Sequence, residues 1–124
     1  MSHQLATMDY VRATVVPGEV VSIPVRLTMS EQHEKWDGEP YLILDGFDMT
    51  GRQIGALRMW GLAKNEMPVG LCVGCCCILR GLIVSLEKEW SSEHQKYVPK
   101  EPHANVVEKW AGTAVEMLDE SCAG

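Results

Sequence analysis

The sequence predicts a mainly β domain: a single small barrel of five antiparallel strands in Greek-key order. Three observations carry that expectation. Apolar and β-branched residues gather in short runs at positions 19–29, 41–45, 55–60 and 71–86. Turn signals separate them, namely Pro17-Gly18, Asp37-Gly38 and Asp48-Met49-Thr50-Gly51. A helical period longer than a turn or two occurs only in the last segment, where a strand reading competes with it.

The opening residues 1–14 are polar and lack a convincing period, so residues 1–17 are assigned to an N-terminal arm. After Pro17-Gly18, residues 19–29 read as a long first strand, with Pro24 marking an edge, a bulge or a bend. Residues 30–40 read as a polar loop carrying Trp36, and residues 41–45 as a second strand. The third strand follows the Asp48–Gly51 turn. In it Gly55, Leu57 and Met59 point one way, toward a core, while Ala56, Arg58 and Trp60 point the other. An indole beside a guanidinium suits unpaired bases and their phosphates. The competing reading is that Trp60 caps the core at a strand end.

Residues 62–67 suit a short helix or turn before Pro68, and residues 71–86 form an apolar fourth strand broken by Gly74 and Gly81. A charged, hairpin-like loop at 87–93 carries Trp90, and Tyr97 follows it. In the segment 103–118, Val107, Trp110, Ala114 and Leu118 recur at helical spacing, whereas residues 113–117 alternate like a strand. Gly112 and the β-branched Thr113 and Val115 favour a fifth strand, with a C-terminal helical turn compatible with the spacing. The barrel domain therefore spans 18–119, followed by a tail at 120–124.

A length of 124 residues suits one domain, and 46% hydrophobic with 23% charged residues is ordinary globular composition. The longest uncharged apolar stretch, 67–79, falls short of the roughly 20 residues that span a bilayer. The first ten residues lack the basic and apolar regions of a secretory signal, so the expected location is intracellular, with no membrane partner. A net charge of −6 argues against a dominant basic nucleic-acid footprint but not against a local one lined by Arg26, Arg52, Arg58 and Arg80. The five cysteines, at 72, 75, 76, 77 and 122, supply one CxxC pair but no second pair, so neither a metal nor any other cofactor is expected. Core packing as small hydrophobes is the better reading, and disulfides are not expected in a reducing compartment. No nucleophile elbow, phosphate-cradling glycine loop or HExxH motif is present, so an enzyme is not the expected class.

Five strands with a short helix or turn between the third and fourth is the order of the oligonucleotide/oligosaccharide-binding (OB) barrel, whose ligand face lies on strands 2 and 3 and the loops 1–2 and 4–5. Over residues 20–119 the chain resembles the single-stranded-DNA-binding OB domains of the replication protein A family. Ile23-Pro24-Val25-Arg26-Leu27-Thr28 is similar to that family's first strand, and Trp36 precedes a glycine-containing loop. Asp48-Met49-Thr50-Gly51 is similar to its Asp-x-Ser/Thr-Gly turn, and Lys96-Tyr97 to its Lys-x-aromatic step after strand 4. The 51–60 stretch is one residue longer than usual, and the loops are acidic where the family is often basic.

The resemblance implies that Trp60 and Tyr97 stack on bases. Trp36 and Trp90 are then expected as loop clamps, and Arg52, Arg58 and Lys96 as phosphate contacts. The expected function is single-stranded nucleic-acid binding, with DNA ahead of RNA and roughly micromolar affinity, in the nucleus and beside other OB-fold subunits. The alternative is a protein–protein assembly subunit of a DNA replication, repair or telomere-maintenance complex. Its expected interface is Val107, Trp110 and Leu118.

Overall fold

The computed structural model describes residues 5–59, 73–110 and 113–118. It is mainly β, with antiparallel pairing among its named strands and one short helix. The long first strand, β1 (Val20–Glu34), lies at the centre of the main sheet. Its second part pairs with β2 (Pro40–Asp48), which in turn pairs with β3 (Leu57–Met59). Its first part pairs with β4 (Cys76–Leu86). Between β4 and the last strands, β5 (Lys88–Ser91) and β6 (Lys96–Pro99) make a separate hairpin. The chain then returns along β4 in two steps, β7 (Asn105–Glu108) and β8 (Ala114–Met117).

The alternation expected in the third strand is present. Leu57 and Met59 are buried, Arg58 is exposed, and their partners on β2 are Leu44, Leu42 and Ile43 respectively. Strand β2 runs three residues further than expected, so Phe47 extends the outward-facing row, 42% exposed and opposite Arg26. Strand β1 also continues to Glu34, which shortens the polar loop to residues 35–39. The segment 103–118 follows the strand reading at 105–108 and 114–117. Trp60, Cys72 and the helix or turn expected at 62–67 lie outside the described residues.

Two irregularities let β1 serve both neighbours. Between Val21 and Ile23 the register against β4 slips, and Gly81 sits at the slip with φ of 75°, a conformation that favours glycine. The Ser22 hydroxyl accepts the Gly81 N–H at 3.2 Å, and the Thr113 hydroxyl donates to the Gly81 carbonyl at 2.8 Å. Against β2 the slip falls between Leu27 and Met29. There a Cβ on Gly46 would collide with the Arg26 carbonyl oxygen. Among the described residues the strands do not close into a barrel: β3 forms one edge of the sheet, and β7 and β8 line the other.

The polar opening segment does not remain an arm. Residues 8–13 form helix α1 (Met8–Ala13), capped by the Thr7 side chain, with Met8 and Val11 fully buried in the core. The Asn105 amide donates to the carbonyls of Val11 and Val15, both at 2.8 Å, tying the end of this segment to the start of β7.

Its other end is held by Asp48. One oxygen of this buried carboxylate accepts the Met8 N–H at 2.6 Å; the other accepts the Thr50 hydroxyl and the Thr50 and Arg52 N–H groups. Burial pushes the Asp48 pKa up, but the bonds from Met8, Thr50 and Arg52 together outweigh it and hold the group below the ordinary carboxylate value. A depressed folded-state pKa contributes stability that is fully present above the unfolded pKa of about 4 and is lost as pH falls through the lower folded value. Asp48→Asn turns one acceptor into a donor, so it is expected to destabilise the fold by roughly 1–3 kcal/mol at neutral pH. In urea unfolding the gap from wild type should shrink once pH is taken well below about 4. A gap unchanged with pH would assign the cost to packing.

Candidate functional site

The β5–β6 hairpin brings together two of the expected aromatic residues. Trp90 and Tyr97 face each other across the strands, edge to face with ring centroids 5.3 Å apart. They remain 54% and 67% exposed. The turn closes with Gln95 at φ of 54° and the Ser91 hydroxyl accepting the His94 N–H at 3.2 Å. At the base, the Glu87 N–H donates to Ala104 and its carbonyl accepts from Lys100, both at 2.8 Å. The aromatic pair is therefore mounted on a closed, hydrogen-bonded support.

Alternation decides which cations accompany it. Lys88 lies two residues before Trp90 and opposite Pro99, so Lys88, Trp90, Tyr97 and Pro99 share one hairpin face. Lys96, expected beside Tyr97, lies on the other face, opposite Ser91. Nothing in the motif signalled Lys88, whereas the pairing register identifies it directly.

Two clefts lie along the edge of the sheet. One, of about 340 Å³, separates β3 from β7 and is lined by Ala56, Leu57, Arg58, Val107, Glu108 and Lys109. The other, of about 400 Å³, lies at the base of the hairpin; Pro17, Ile83, Leu86, Lys88, Pro99 and Glu108 are among its walls. Glu108 lines both, so the two clefts adjoin at this residue. Arg58 thus lines the first cleft and Lys88 the second, Glu108 is common to both, and Lys88 shares its hairpin face with the exposed rings of Trp90 and Tyr97. Arg58 meets no carboxylate among the described residues.

The remaining expected residues lie elsewhere. Trp36 is 96% exposed at the tip of the β1–β2 turn, where the Gly38 N–H donates to Lys35 at 2.9 Å and Lys35 pairs with Asp37 and Glu39. Arg52 directs its guanidinium at Asp9, 3.4 Å away. Arg80 is committed to Glu116 at 2.6 Å. Trp60 is outside the described residues.

Of the expected partner interface, Val107 must be withdrawn: paired with Val84 on the inward face, it is buried in the core. Trp110 is 40% exposed, and Leu118 is half-buried. The sequence reading also missed Phe47, because it ended the second strand at Asp45.

The cysteine run is partly as expected. Cys76 and Cys77 are buried in β4, and burial pushes the free Cys77 thiol up to about 11. The expectation against disulfides needs correction, since Cys75 and Cys76 each take part in a disulfide. Among the described residues no group of three or more His, Cys, Asp and Glu side chains is arranged to hold a metal ion.

No protein-family model matches the chain, and no curated protein or solved structure matches it.

The placements of Trp36 and Val107 separate surface from core. Trp36→Ala should change unfolding free energy by no more than about 0.5 kcal/mol. Val107→Ala should cost roughly 1.5–3 kcal/mol as a core truncation. Chemical denaturation of the two variants checks both, and a reversed order would remove Val107 from the core.

Proposed function

We propose that this protein is a single-stranded nucleic-acid-binding module, with DNA the preferred ligand. The observation that supports this reading is the pair of adjoining clefts along the sheet edge, where Arg58, Lys109 and Lys88 accompany the exposed Trp90–Tyr97 pair. Bases stack on the hairpin rings, because every base offers a π-face, and the cations take the phosphates. The strand order β3-β2-β1-β4-β7, with β1 shared between β2 and β4, supports an OB-type barrel similar to those of the replication protein A family. In that reading the open seam lies between β3 and β7, and the cleft containing Arg58 is the seam itself. A place beside other OB-fold subunits belongs to the same proposal.

A second reading, an assembly subunit, is favoured by one observation. Trp110 and Met117 are 40% and 37% exposed at the β7–β8 edge of the sheet, where an apolar edge invites a partner chain.

Fluorescence anisotropy of labelled oligo-dT tests the first reading. Trp90→Ala and Tyr97→Ala should each weaken binding by about 5- to 150-fold, the equivalent of roughly 1–3 kcal/mol per stacked base. Duplex of equal length should bind far more weakly. Affinity should fall with salt at a log–log slope near −2, since each phosphate contact on a single strand contributes about −0.7. Equal binding of duplex and single strand, or no response to either ring substitution, would remove the stacking model.

A further inference from the structure

A carboxylate between two clefts that accept phosphates is an electrostatic liability. Glu108 nevertheless stands where the two clefts adjoin, exposed and without an ion-pair or hydrogen-bond partner among the described residues. It is held in place from the backbone, because β7 pairs with β4 and Glu108 lies opposite Ile83. Around it, the cleft at the base of the hairpin offers the apolar surfaces of Pro17, Ile83, Leu86 and Pro99, with Lys88 as its cation. A volume of about 400 Å³ lies within the range of sites that take a small planar ligand. The combination is an open, largely apolar recess with a cation and a carboxylate at its margin.

An ionised carboxylate accepts hydrogen bonds and donates none. That property discriminates among unpaired bases, whose Watson–Crick edges are free in a single strand. Thymine offers one N–H between two carbonyl oxygens that repel a carboxylate. Cytosine and adenine each offer an amino group beside a ring nitrogen that is itself an acceptor. Guanine alone presents two adjacent, parallel donors, N1–H and the N2 amino group, which match the two oxygens of one carboxylate. We propose that the cleft at the base of the β5–β6 hairpin is a guanine-selective subsite in which Glu108 reads that donor pair. The apolar floor takes one face of the base, and Lys88 takes the adjoining phosphate. This assignment rests on the single-strand reading above and adds base identity to it.

The test uses the full chain and four labelled twelve-residue DNA single strands: all thymine, alternating thymine–guanine, thymine–inosine and thymine–7-deazaguanine. Inosine lacks the N2 amino group, and 7-deazaguanine keeps the Watson–Crick edge intact. Guanine should bind more tightly than thymine by roughly 5- to 150-fold, the range that a bidentate base contact commands. Inosine should fall between them, and 7-deazaguanine should match guanine. Glu108→Gln replaces one acceptor oxygen by a donor on an exposed side chain. It should abolish the guanine preference while leaving thymine binding equal or tighter. If oligo-dT binds but guanine gives no advantage, or if Glu108→Gln shifts all four ligands equally, the subsite assignment is overturned and the stacking reading stands. If no single strand binds, the stacking reading fails and the subsite fails with it.

Discussion

The backbone of Val20–Glu34 hydrogen-bonds on two sides in succession, to β4 over its first part and to β2 over its second, and the other strands take their positions from that exchange. A strand that changes partners must bend, and the two register slips on β1 supply the bend. Each slip depends on a glycine for a different reason. Gly81 adopts a positive φ and has both its backbone groups satisfied by hydroxyls, from Ser22 and Thr113. Gly46 gives the Arg26 carbonyl room that a methyl group would occupy. The curl that results carries the β3 and β7 edges to opposite walls of one cleft, which is where Arg58 and Glu108 come to share a surface. The candidate site is thus a consequence of how one strand is bent.

Net charge and local charge point in different directions here. The chain carries a charge of −6, and the β1–β2 turn around Trp36 contributes Glu34, Asp37 and Glu39, with Lys35 already paired to two of them. A phosphate approaching that tip meets repulsion, so Trp36, the most exposed tryptophan among the described residues, is poorly suited to a nucleic-acid strand. The hairpin tryptophan is less exposed but better placed, because Lys88 shares its face and Arg58 lines the adjoining cleft. Exposure alone is a poor guide to an aromatic's role; the sign of its neighbours decides. Under the proposed function, so few cations imply weak binding at physiological salt, since screening acts on every exposed pair.

Much of the sheet was legible because its signals are local. Leu57, Arg58 and Met59 alternate over three residues, and β4 is apolar nearly throughout, so neither needs a distant partner to be recognised. Helix α1 was not legible. Six residues give no more than two core positions, Met8 and Val11, and the acceptor that fixes its first turn is Asp48, distant in sequence. Phe47 was missed for a related reason: Gly46 looks like a strand end, but it is a close-approach position inside the strand. Val107 was misjudged because three to four residue spacing links it to Trp110, whereas the strand geometry sends it inward opposite Val84. The hairpin aromatics could be found from the sequence, but not the lysine beside them, because register across a turn is set by pairing rather than by any residue in the motif.

The position of Glu108 follows from the same geometry that buries Val107. Successive residues in a strand face opposite ways, so sending Val107 into the core obliges Glu108 to stand outward. At that position an apolar residue would extend the recess formed by Pro17, Ile83 and Pro99, and a lysine would add a cation. Glutamate does neither. In the proposed subsite it would weaken the attraction for every phosphate and favour only the base that presents two adjacent donors, which is how an interface trades affinity for discrimination. If the clefts hold a single strand as proposed, the cations are few and the loss from one carboxylate is a large fraction of the electrostatic attraction. On that reading the base contacts set the binding order, and Glu108 is the acidic residue that lines both clefts.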